Sequence, residues 1–391
     1  LSVCQAVIYE DIGMKDYLEH YEGKIYALSP IYVGSGEKIK KNAYIYAPRN
    51  HRVVIPDIEK MYTALRKKGL EREFTSYLMS SGDRGPSLAQ WLGSHGISEK
   101  EWREWKRYEM DAGEAFLQLG PRKKSSDIDG FCRDGYGMPY VPGSSIKGML
   151  RTALLASEIE NNPEKYKRIA LEISEKSQER AKRIPDRACL MKETQKLEQQ
   201  AFYTLGREQR LNSAVNDHMA GLLVGDSEPI DLEQLTLSQK IDVTLNGEEK
   251  PLPILRETLK PGTEIRFSLT IDRTLCPYSI EKIESALDQF QKTCYDNFYM
   301  RFHRGTKEKG IVWLGGGCGF PAKTVLYPMF GRKAVRVIDQ INRNTLHPKV
   351  YAQHKHAKDV GLGVAPHVCK CTKYQGKLYD MGMGRIEFSR Q

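Results

Sequence analysis

The sequence predicts an α+β fold that has two strand-containing halves and two mainly helical insertions. Three observations support this prediction: strand-like segments near both ends of the chain, helical periodicity between them, and a length of 391 residues, which exceeds the usual size of one compact domain. We place an N-terminal domain at 1–230 and a C-terminal domain at 231–391, each with a glycine-rich loop. The helical insertions are expected at about 57–130 and 155–218.

The first predicted elements are two strands joined by a basic turn. Residues 24–33 (KIYALSPIYV) and 44–47 (YIYA) are rich in Ile, Val and Tyr, which favour strands. The turn between them, GSGEKIKKN at 34–42, places glycines beside lysines. Five of its residues are candidates for binding an anion: Gly34, Gly36, Lys38, Lys40 and Lys41.

Two stretches of helical composition interrupt the strands. From 61 to about 119 the chain is rich in Glu, Lys, Leu and Trp, and Trp102, Trp105 and Tyr108 are spaced three apart, as on one face of a helix. Residues 157–210 are charged and only weakly amphipathic, which predicts a second helical or partly mobile segment. Neither insertion is expected to contribute to the core.

A helix is predicted after the Pro-Gly turn in YVPGSSIKGMLR, residues 140–151. The first backbone N–H groups of a helix have no partner within the helix, so such an end attracts phosphate. Lys147 and Arg151 are four residues apart and therefore share one helix face. The candidate anion-binding residues here are Gly143, Ser144, Ser145, Lys147 and Arg151. An ordinary capped helix with solvated charges is the alternative that spacing alone leaves open.

Strands resume after Gly221. The predicted strands lie in GLLVGDSEPI (221–230), IDVTL (241–245) and EIRFSLTID (264–272). Residues 366–388 are predicted to close the chain as a hairpin that turns at Gln375 and Gly376.

The loop GGGCGFPAKT, residues 315–324, is the second glycine-rich segment. Gly315, Gly316 and Gly317 permit backbone conformations that let a ligand approach the main chain, and Lys323 adds a positive charge. Residues 317–324 nearly match the nucleotide-binding pattern G-x-x-x-x-G-K-[ST], but an alanine replaces the second glycine and a proline removes a donor. The loop therefore favours RNA contact, with a nucleotide hydrolase as a minor alternative.

The charge of the chain favours a polyanionic partner. Lys and Arg number 60 against 50 Asp and Glu, which gives a net charge of +10 and a pI near 9.0. Residues 301–359 alone hold twelve Lys or Arg against three Asp or Glu. Three separate segments that combine glycine and cations suit an extended ligand such as RNA, because each can bind successive phosphates.

Several other function classes lose support. No stretch reaches the ~18 apolar residues of a membrane span, and the mean hydropathy is -0.54, so no membrane partner is expected. The absence of a signal-peptide pattern and eight scattered cysteines favour the cytoplasm.

Three potential metal ligands alternate along a predicted strand: His367, Cys369 and Cys371. Their spacing of ~7 Å is too wide for one tetrahedral ion, so neither a metal nor a cofactor is expected.

Three landmarks in order resemble the RAMP superfamily of CRISPR proteins: VPGSSIKGMLRTALL resembles its turn-helix signature, and GGGCGFPAKT and GMGRIEF resemble its glycine-rich loops. LSPIYVGSGEKIKKNAYIY, LLVGDSEPI and the run into KTVLYPM are more specifically similar to the fifth subunits of type III-A Csm effector complexes.

The resemblance implies a ferredoxin-like (RRM-like) RAMP core and a structural, non-enzymatic, RNA-binding role. Such a subunit caps the 3′ end of the guide crRNA and contributes to crRNA maturation and antiviral defence. The implied partners are single-stranded crRNA, target RNA, and other Csm subunits, especially the adjacent backbone RAMP subunit. Related backbone subunits cut RNA with an Asp in the loop after the first strand, where this chain has only Glu37, so target cleavage is not expected.

A metal-independent endoribonuclease that processes guide precursors is the alternative function. It would use a histidine as general acid or base beside a glycine-rich C-terminal loop. The residues that could take these roles are His20, His51 and the segment from Gly382 to Arg385.

Overall fold

The structure is a computed structural model that describes residues 17–80, 85–116, 127–179, 189–210 and 212–391. The strands are β1 (Leu18–Ala27), β2 (Gly34–Ile39), β3 (Ile45–Ala47), β4 (Arg52–Pro56), β5 (Lys106–Asp111), β6 (Ile128–Phe131), β7 (Leu222–Ser227), β8 (Leu235–Thr244), β9 (Glu249–Leu259), β10 (Glu264–Asp272), β11 (Ile311–Trp313), β12 (Val368–Tyr374), β13 (Lys377–Asp380) and β14 (Met383–Arg390). The helices are α1 (Ile58–Lys67), α2 (Glu71–Ser80), α3 (Leu88–Ser94), α4 (Glu99–Glu104), α5 (Gly143–Asn161), α6 (Pro163–Gln178), α7 (Met191–Phe202), α8 (Ile280–Asn297), α9 (Leu326–Phe330), α10 (Ala334–Thr345), α11 (Pro348–Gln353) and α12 (Asp359–Leu362). This content confirms the predicted α+β class.

The first sheet contains five strands in the order β11-β14-β1-β10-β7, and every neighbouring pair is antiparallel. Helix α5 precedes β7, and α8 follows β10. If β14 is taken as the fourth strand, β1, α5, β7, β10, α8 and β14 have the β-α-β-β-α-β connectivity of a ferredoxin-like unit, with β11 added at the edge. The fourth strand of this unit is therefore the last strand of the chain.

The second sheet contains nine strands. Seven of them follow the order β2-β6-β9-β8-β5-β4-β3, and β12 pairs with both β8 and β13. Strands from both sides of residue 230 occur in each sheet: β1 pairs with β10 and β14, and β5 pairs with β8. The proposed boundary at residue 230 therefore does not separate two sheets, because strand pairing joins the two halves.

The core consists of one large cluster, which extends from Tyr21 to Ile386, and one small cluster, which joins β3 and β4 to the helices of the first insertion. The small cluster includes Trp91, Trp102 and Trp105, so these tryptophans form a local core. The predicted helical face through Tyr108 is wrong, because α4 ends at Glu104 and Tyr108 lies in β5. There its hydroxyl donates to Glu257 Oε1 at 2.6 Å, a bond across the second sheet.

The second insertion is helical, as predicted, but it is part of the core. Tyr166, Ile169 and Ile173 of α6 and Leu197 and Phe202 of α7 are buried in the large cluster. The expectation of a peripheral segment was wrong because each helix has one apolar stripe, and the charged residues on the other faces obscure it in the composition. No helix in the described parts of the chain has the length and apolarity needed to cross a membrane.

The basic segment after the first strand differs from its prediction. Residues 34–39 form β2 rather than a turn, and β2 pairs antiparallel with β6 at the sheet edge. The preceding strand ends at Ala27, earlier than predicted, because the chain then crosses between the sheets and Ile31 bridges to Leu259 of β9. Strand β9 itself was not predicted, since Pro251 and Pro253 interrupt its alternation.

The C-terminal hairpin is confirmed. β12 and β13 pair antiparallel around Gln375 and Gly376, whose φ angles of 49° and 75° are those of a two-residue type I′ turn. The predicted hairpin extends further than the observed one, however. β14 leaves this sheet and joins β1 in the other, so the GMGRIEF segment completes the first sheet.

Candidate RNA-binding cleft

Three segments that are far apart in the sequence meet at one cleft of about 430 Å³. One wall is the chain between β1 and β2, the second is the N-terminal half of α5, and the third is the loop after β11. Six of the residues predicted to bind RNA line it: Gly34, Ser144, Ser145, Gly315, Gly316 and Lys323. The fold therefore brings part of each predicted segment to a single surface.

Helix α5 contributes one face to the cleft. Ser144, Ser145, Gly148 and Thr152 line it, as their helical spacing requires. Ser144 and Ser145 do not cap the helix, and among the described residues neither hydroxyl has a hydrogen-bond partner. Both hydroxyls are therefore available to a ligand.

Gly143 serves packing. A Cβ at this position would lie 2.3 Å from the carbonyl oxygen of Val224 and 2.6 Å from that of Gly225, so only glycine lets α5 begin against β7. Its N–H donates to Asp226 Oδ1 at 2.7 Å, which already supplies an anion to this end of the helix. The predicted contact of Gly143 with phosphate stays a prediction, and Gly143 does not line the cleft.

Gly148 is a cleft residue that the sequence analysis missed. It is exposed in the interior of α5, and a Cβ there would meet nothing within 4 Å. Glycine inside a helix costs about 1 kcal/mol relative to alanine, and no packing contact requires it here. The space above Gly148 belongs to the cleft, so the missing side chain keeps the cleft open.

The glycine-rich loop is held against Tyr32. Gly316 N–H donates to the Tyr32 carbonyl oxygen at 2.6 Å, and a Cβ on Gly315, whose φ is +78°, would lie 2.0 Å from the same oxygen. These glycines let two segments of the protein approach each other, whereas the sequence analysis expected a ligand to be the approaching group. Gly317 does not line the cleft. It packs against Arg256 instead, because a Cβ on Gly317 would lie 2.6 Å from Arg256 Nη1.

Trp313 and Lys323 line the cleft. The Trp313 ring is 3% exposed and stacks on Tyr299 with a centroid distance of 4.4 Å, and among the described residues its buried indole N–H has no hydrogen-bond partner. Lys323 is exposed and is the charged residue of the cleft lining. One ammonium and two hydroxyls are donors, which suits a phosphate and its neighbouring sugar oxygens.

Arg256 lies behind the glycine-rich loop and was also missed. Its guanidinium is 4.9 Å from the Tyr32 ring centroid, and its Nε is 3.7 Å from Asp129 Oδ2. Within the described parts of the chain, its buried Nε and Nη1 have no hydrogen-bond partner. No sequence signal marked it, because it lies in β9, the strand that was not predicted.

The cations of the first basic segment do not reach the cleft. Lys38 and Lys40 form ion pairs with Asp129 and Asp127, at 3.5 and 2.8 Å. Lys41 is 8% exposed and donates to the Gly85 carbonyl oxygen at 3.0 Å. Gly36, with φ +84°, permits the irregular pairing of β2 and is likewise outside the cleft lining. Pairing of β2 with β6 brings these acids beside the lysines, which composition could not predict.

Lys147 and Arg151 share a face of α5, as predicted, but neither residue lines the cleft. Arg151 forms ion pairs with Glu198 and Asp217, both at 2.8 Å, and its guanidinium is 4.2 Å from the Phe202 ring centroid. Burial lowers the pKa of Lys147, and the charge of Arg151 lowers it further against the opposing effect of Asp217. The structure therefore assigns Arg151 to helix packing.

The two candidate histidines for ribonuclease chemistry belong to different sheets. His20 lies in β1 of the first sheet and contacts Thr270 Oγ1 at 3.0 Å, whereas His51 precedes β4 of the second sheet. Gly382 is close-packed, since a Cβ there would lie 2.7 Å from the Leu314 carbonyl oxygen.

A second concavity, of about 760 Å³, is lined by four of the twelve Lys and Arg residues of segment 301–359. Four of the residues lining it are cations: Arg301, Arg332, Lys333 and Arg336. Among the described residues, none of these four forms an ion pair with an acid. An acid that also lines it, Asp296, pairs with Lys307 at 3.1 Å. This surface remains positively charged.

Comparison with known proteins identifies the family to which this chain belongs. The sequence profile of the RAMP superfamily matches residues 24–320. A Mycobacterium tuberculosis protein described as CRISPR system Cms protein Csm5 is 26% identical over 96% of this chain and 100% of its own length.

Two solved structures share the fold. One is a chain of the cryo-EM structure of the Csm-crRNA-target RNA ternary complex of a type III-A CRISPR-Cas system, which has a TM-score of 0.62 and 18% identity over 94% of this chain and 100% of that one. The other is the crystal structure of T. onnurineus Csm5, with a TM-score of 0.58 and 17% identity over 93% of this chain and 99% of that one. The protein is therefore a member of the RAMP superfamily that is similar to Csm5 along nearly its whole length.

Proposed function

We propose that this protein is a structural RNA-binding subunit of a type III-A Csm effector complex, and that its cleft binds the sugar-phosphate backbone near the 3′ end of the crRNA. The observation that carries the proposal is the convergence of Gly34, the two serines of α5, the glycine-rich loop and Lys323 on one donor-rich cleft. Similarity to the M. tuberculosis Csm5 and to a chain of the Csm-crRNA-target RNA complex supports the identity of the ligand and of the assembly.

The cleft chemistry favours binding without sequence preference. Lys323 and the serine hydroxyls are donors that recognise phosphate and sugar oxygens, and such contacts carry no base information. A subunit of this kind holds any guide in the same register. It contributes to maturation of the crRNA by covering a fixed length of its 3′ region.

The proposed partners follow from the same role. They are the crRNA, the target RNA paired with it, and other Csm subunits, especially the backbone RAMP subunit next to this one. The basic concavity at Arg332, Lys333 and Arg336 offers a second surface for nucleic acid outside the cleft.

The test is the affinity of the full chain for a fluorescent single-stranded RNA, measured by anisotropy over a range of salt concentrations. For Lys323→Ala we expect the Kd to rise about 10-fold, the effect of losing one charge-assisted hydrogen bond. The slope of log K against log salt should become shallower by about 0.7, because one fewer phosphate is neutralised.

Lys282→Ala is the matched control, because Lys282 is an exposed lysine of α8 that does not line the cleft. It should change neither the Kd nor the salt slope. An equal effect of both substitutions would refute the cleft as the binding site, since the loss would then report only net charge.

The same samples distinguish binding from cleavage. Intact RNA with and without divalent metal is expected from a structural subunit. Products that form without metal and are lost in His20→Ala or His51→Ala would instead establish the guide-processing ribonuclease.

A further inference from the structure

Two histidines and an aspartate meet outside the cleft. His356 lies in a short helical turn, Asp359 begins α12 three residues later, and His367 lies immediately before β12. Their donor atoms all lie within 4.8 Å of one another. His356 and Asp359 are neighbours on one helical turn, and the chain between Asp359 and His367 brings His367 beside them.

The carboxylate of Asp359 lies between the two imidazoles. Its Oδ2 is 3.1 Å from His356 Nδ1, and its Oδ1 is hydrogen-bonded to His367 Nδ1. Asp359 is fully buried, whereas the His356 and His367 side chains are 10% and 16% exposed. The group is therefore enclosed on the carboxylate side and accessible to solvent at its edge.

The charge of Asp359 requires a partner. A buried carboxylate is costly unless it is paired with a cation or bound to a metal. In the part of the chain that the structure describes, its two ion-pair partners are these histidines, and no Lys or Arg reaches it. A bound metal ion would supply the positive charge that compensates this carboxylate.

We infer that His356, Asp359 and His367 form a zinc-binding site. Zinc binds histidine nitrogens and aspartate oxygens at about 2.0 to 2.2 Å in tetrahedral geometry, which places ligand atoms ~3.3 Å apart. The distance of 3.1 Å between Asp359 Oδ2 and His356 Nδ1 is close to this value, and all three donor atoms lie within 4.8 Å of one another. Small side-chain rotations open the group to admit an ion. A water molecule completes the coordination from the solvent side.

Zinc at this position would link two elements. It would join the turn before α12 to the start of β12, which pairs with β8 in the second sheet. The same bonds would fix the neighbouring basic residues Lys355 and Lys358 in place. The site thus adds a structural clip that is independent of RNA binding in the cleft.

A neighbouring group provides a contrast. Cys369, Cys371 and Asp380 also have donor atoms within 4.8 Å of one another, which is closer than the spacing predicted along a straight strand. There, however, the Arg304 guanidinium forms an ion pair with Asp380, so the negative charge of this carboxylate is already compensated.

The experiment measures zinc bound to the full chain. The purified protein is treated with EDTA, incubated with one equivalent of zinc, desalted and analysed by mass spectrometry for metal content. Roughly one zinc per chain is expected in the wild type. His356→Gln and His367→Gln are expected to weaken zinc binding at least 10-fold in competition with a chromogenic chelator.

Two controls keep the outcome specific. His354→Gln removes a ring that stacks on His356, at a centroid distance of 5.9 Å, without removing a donor of the site, and Cys369→Ser alters only the neighbouring group. Both variants should retain zinc. Failure of the wild type to retain zinc, or equal retention in the His356→Gln and His367→Gln variants, would overturn the inference.

Cobalt(II) substitution of the wild-type chain tests the ligands without relying on a folded variant. The visible absorption of tetrahedral cobalt without a thiolate-to-cobalt charge-transfer band is expected for two histidines and a carboxylate. A strong charge-transfer band would assign the metal to the cysteines instead and would refute the site.

Discussion

At the scale of single residues, Gly148 is the position where stability and function oppose each other. It is an exposed helix-interior glycine with open space above it. Gly148→Ala should raise the free energy of unfolding by about 1 kcal/mol, because alanine restricts the unfolded chain and favours the helix. Gly148→Met should keep most of this gain but fill the cleft, and we expect at least a 10-fold higher Kd for RNA.

Urea unfolding and RNA anisotropy on the same preparations check the two effects. Thr75→Met, at an exposed position of the separate helix α2, is the control for adding a methionine to a helix surface. If Gly148→Met is stable and binds RNA like the wild type, the cleft is not where RNA lies.

His218 gives a pH dependence of stability. It is 3% exposed, its Nδ1 is 2.8 Å from Thr204 Oγ1, and burial lowers its pKa below the ordinary value of 6.5. The unfolded chain then binds a proton more readily than the folded chain, so stability rises with pH in this range. The contribution is complete above about pH 6.5 and is lost as the pH falls from 6.5 towards the lowered pKa.

We therefore expect the free energy of unfolding to fall between pH 7.5 and 5.5, and to fall less in His218→Gln, which cannot titrate. Urea denaturation at both pH values measures the difference. A wild type and a variant with identical pH dependence would mean that His218 does not contribute.

At the scale of elements, α5 has two faces with different tasks. One face lines the cleft, and the other holds α7 through the ion pair of Arg151 with Glu198. Arg151→Met should lower the free energy of unfolding by about 2 kcal/mol, because it leaves two carboxylates without their partner. The RNA affinity of the folded fraction should not change.

The sequence predicts that Arg151 contacts RNA, whereas in the structure it pairs with Glu198 and Asp217. This substitution distinguishes an RNA contact from a packing role. Thermal unfolding and anisotropy, compared with Lys323→Ala, are the measurements. Unchanged stability with weakened RNA binding would restore Arg151 as an RNA contact.

At the scale of the whole molecule, strand pairing joins the two halves of the chain. β1 lies between β10 and β14, so the first sheet cannot form from either half alone. We expect the fragments 17–230 and 231–391 to show no cooperative unfolding when they are expressed separately. The full chain should unfold cooperatively under the same conditions.

Far-ultraviolet circular dichroism during thermal unfolding checks this expectation, and co-expression of the two fragments is its control. Fragments that associate into a complex with the spectrum of the full chain would support interleaved pairing. Two independently cooperative fragments would restore a domain boundary at 230.

The sequence by itself determined those features whose physical causes are local. The apolar spacing of Ile146, Leu150 and Leu154 specifies α5, and Gln375-Gly376 between alternating residues specifies a tight hairpin, because helix periodicity and turn conformation depend on near neighbours. The excess of Lys and Arg and the three glycine-containing segments indicated an anionic ligand for the same reason: both are properties of composition and spacing.

Only the tertiary structure decided which charges remain available to a ligand. Lys38, Lys40 and Arg151 are cations like Lys323, but pairing of β2 with β6 and packing of α5 against α7 place acids beside the first three. Long-range contacts likewise placed Gly315 and Gly316 against Tyr32 and joined His356 and Asp359 to His367. Whether a polar group binds a ligand or another part of the protein depends on neighbours that are distant in sequence, and folding alone brings them together.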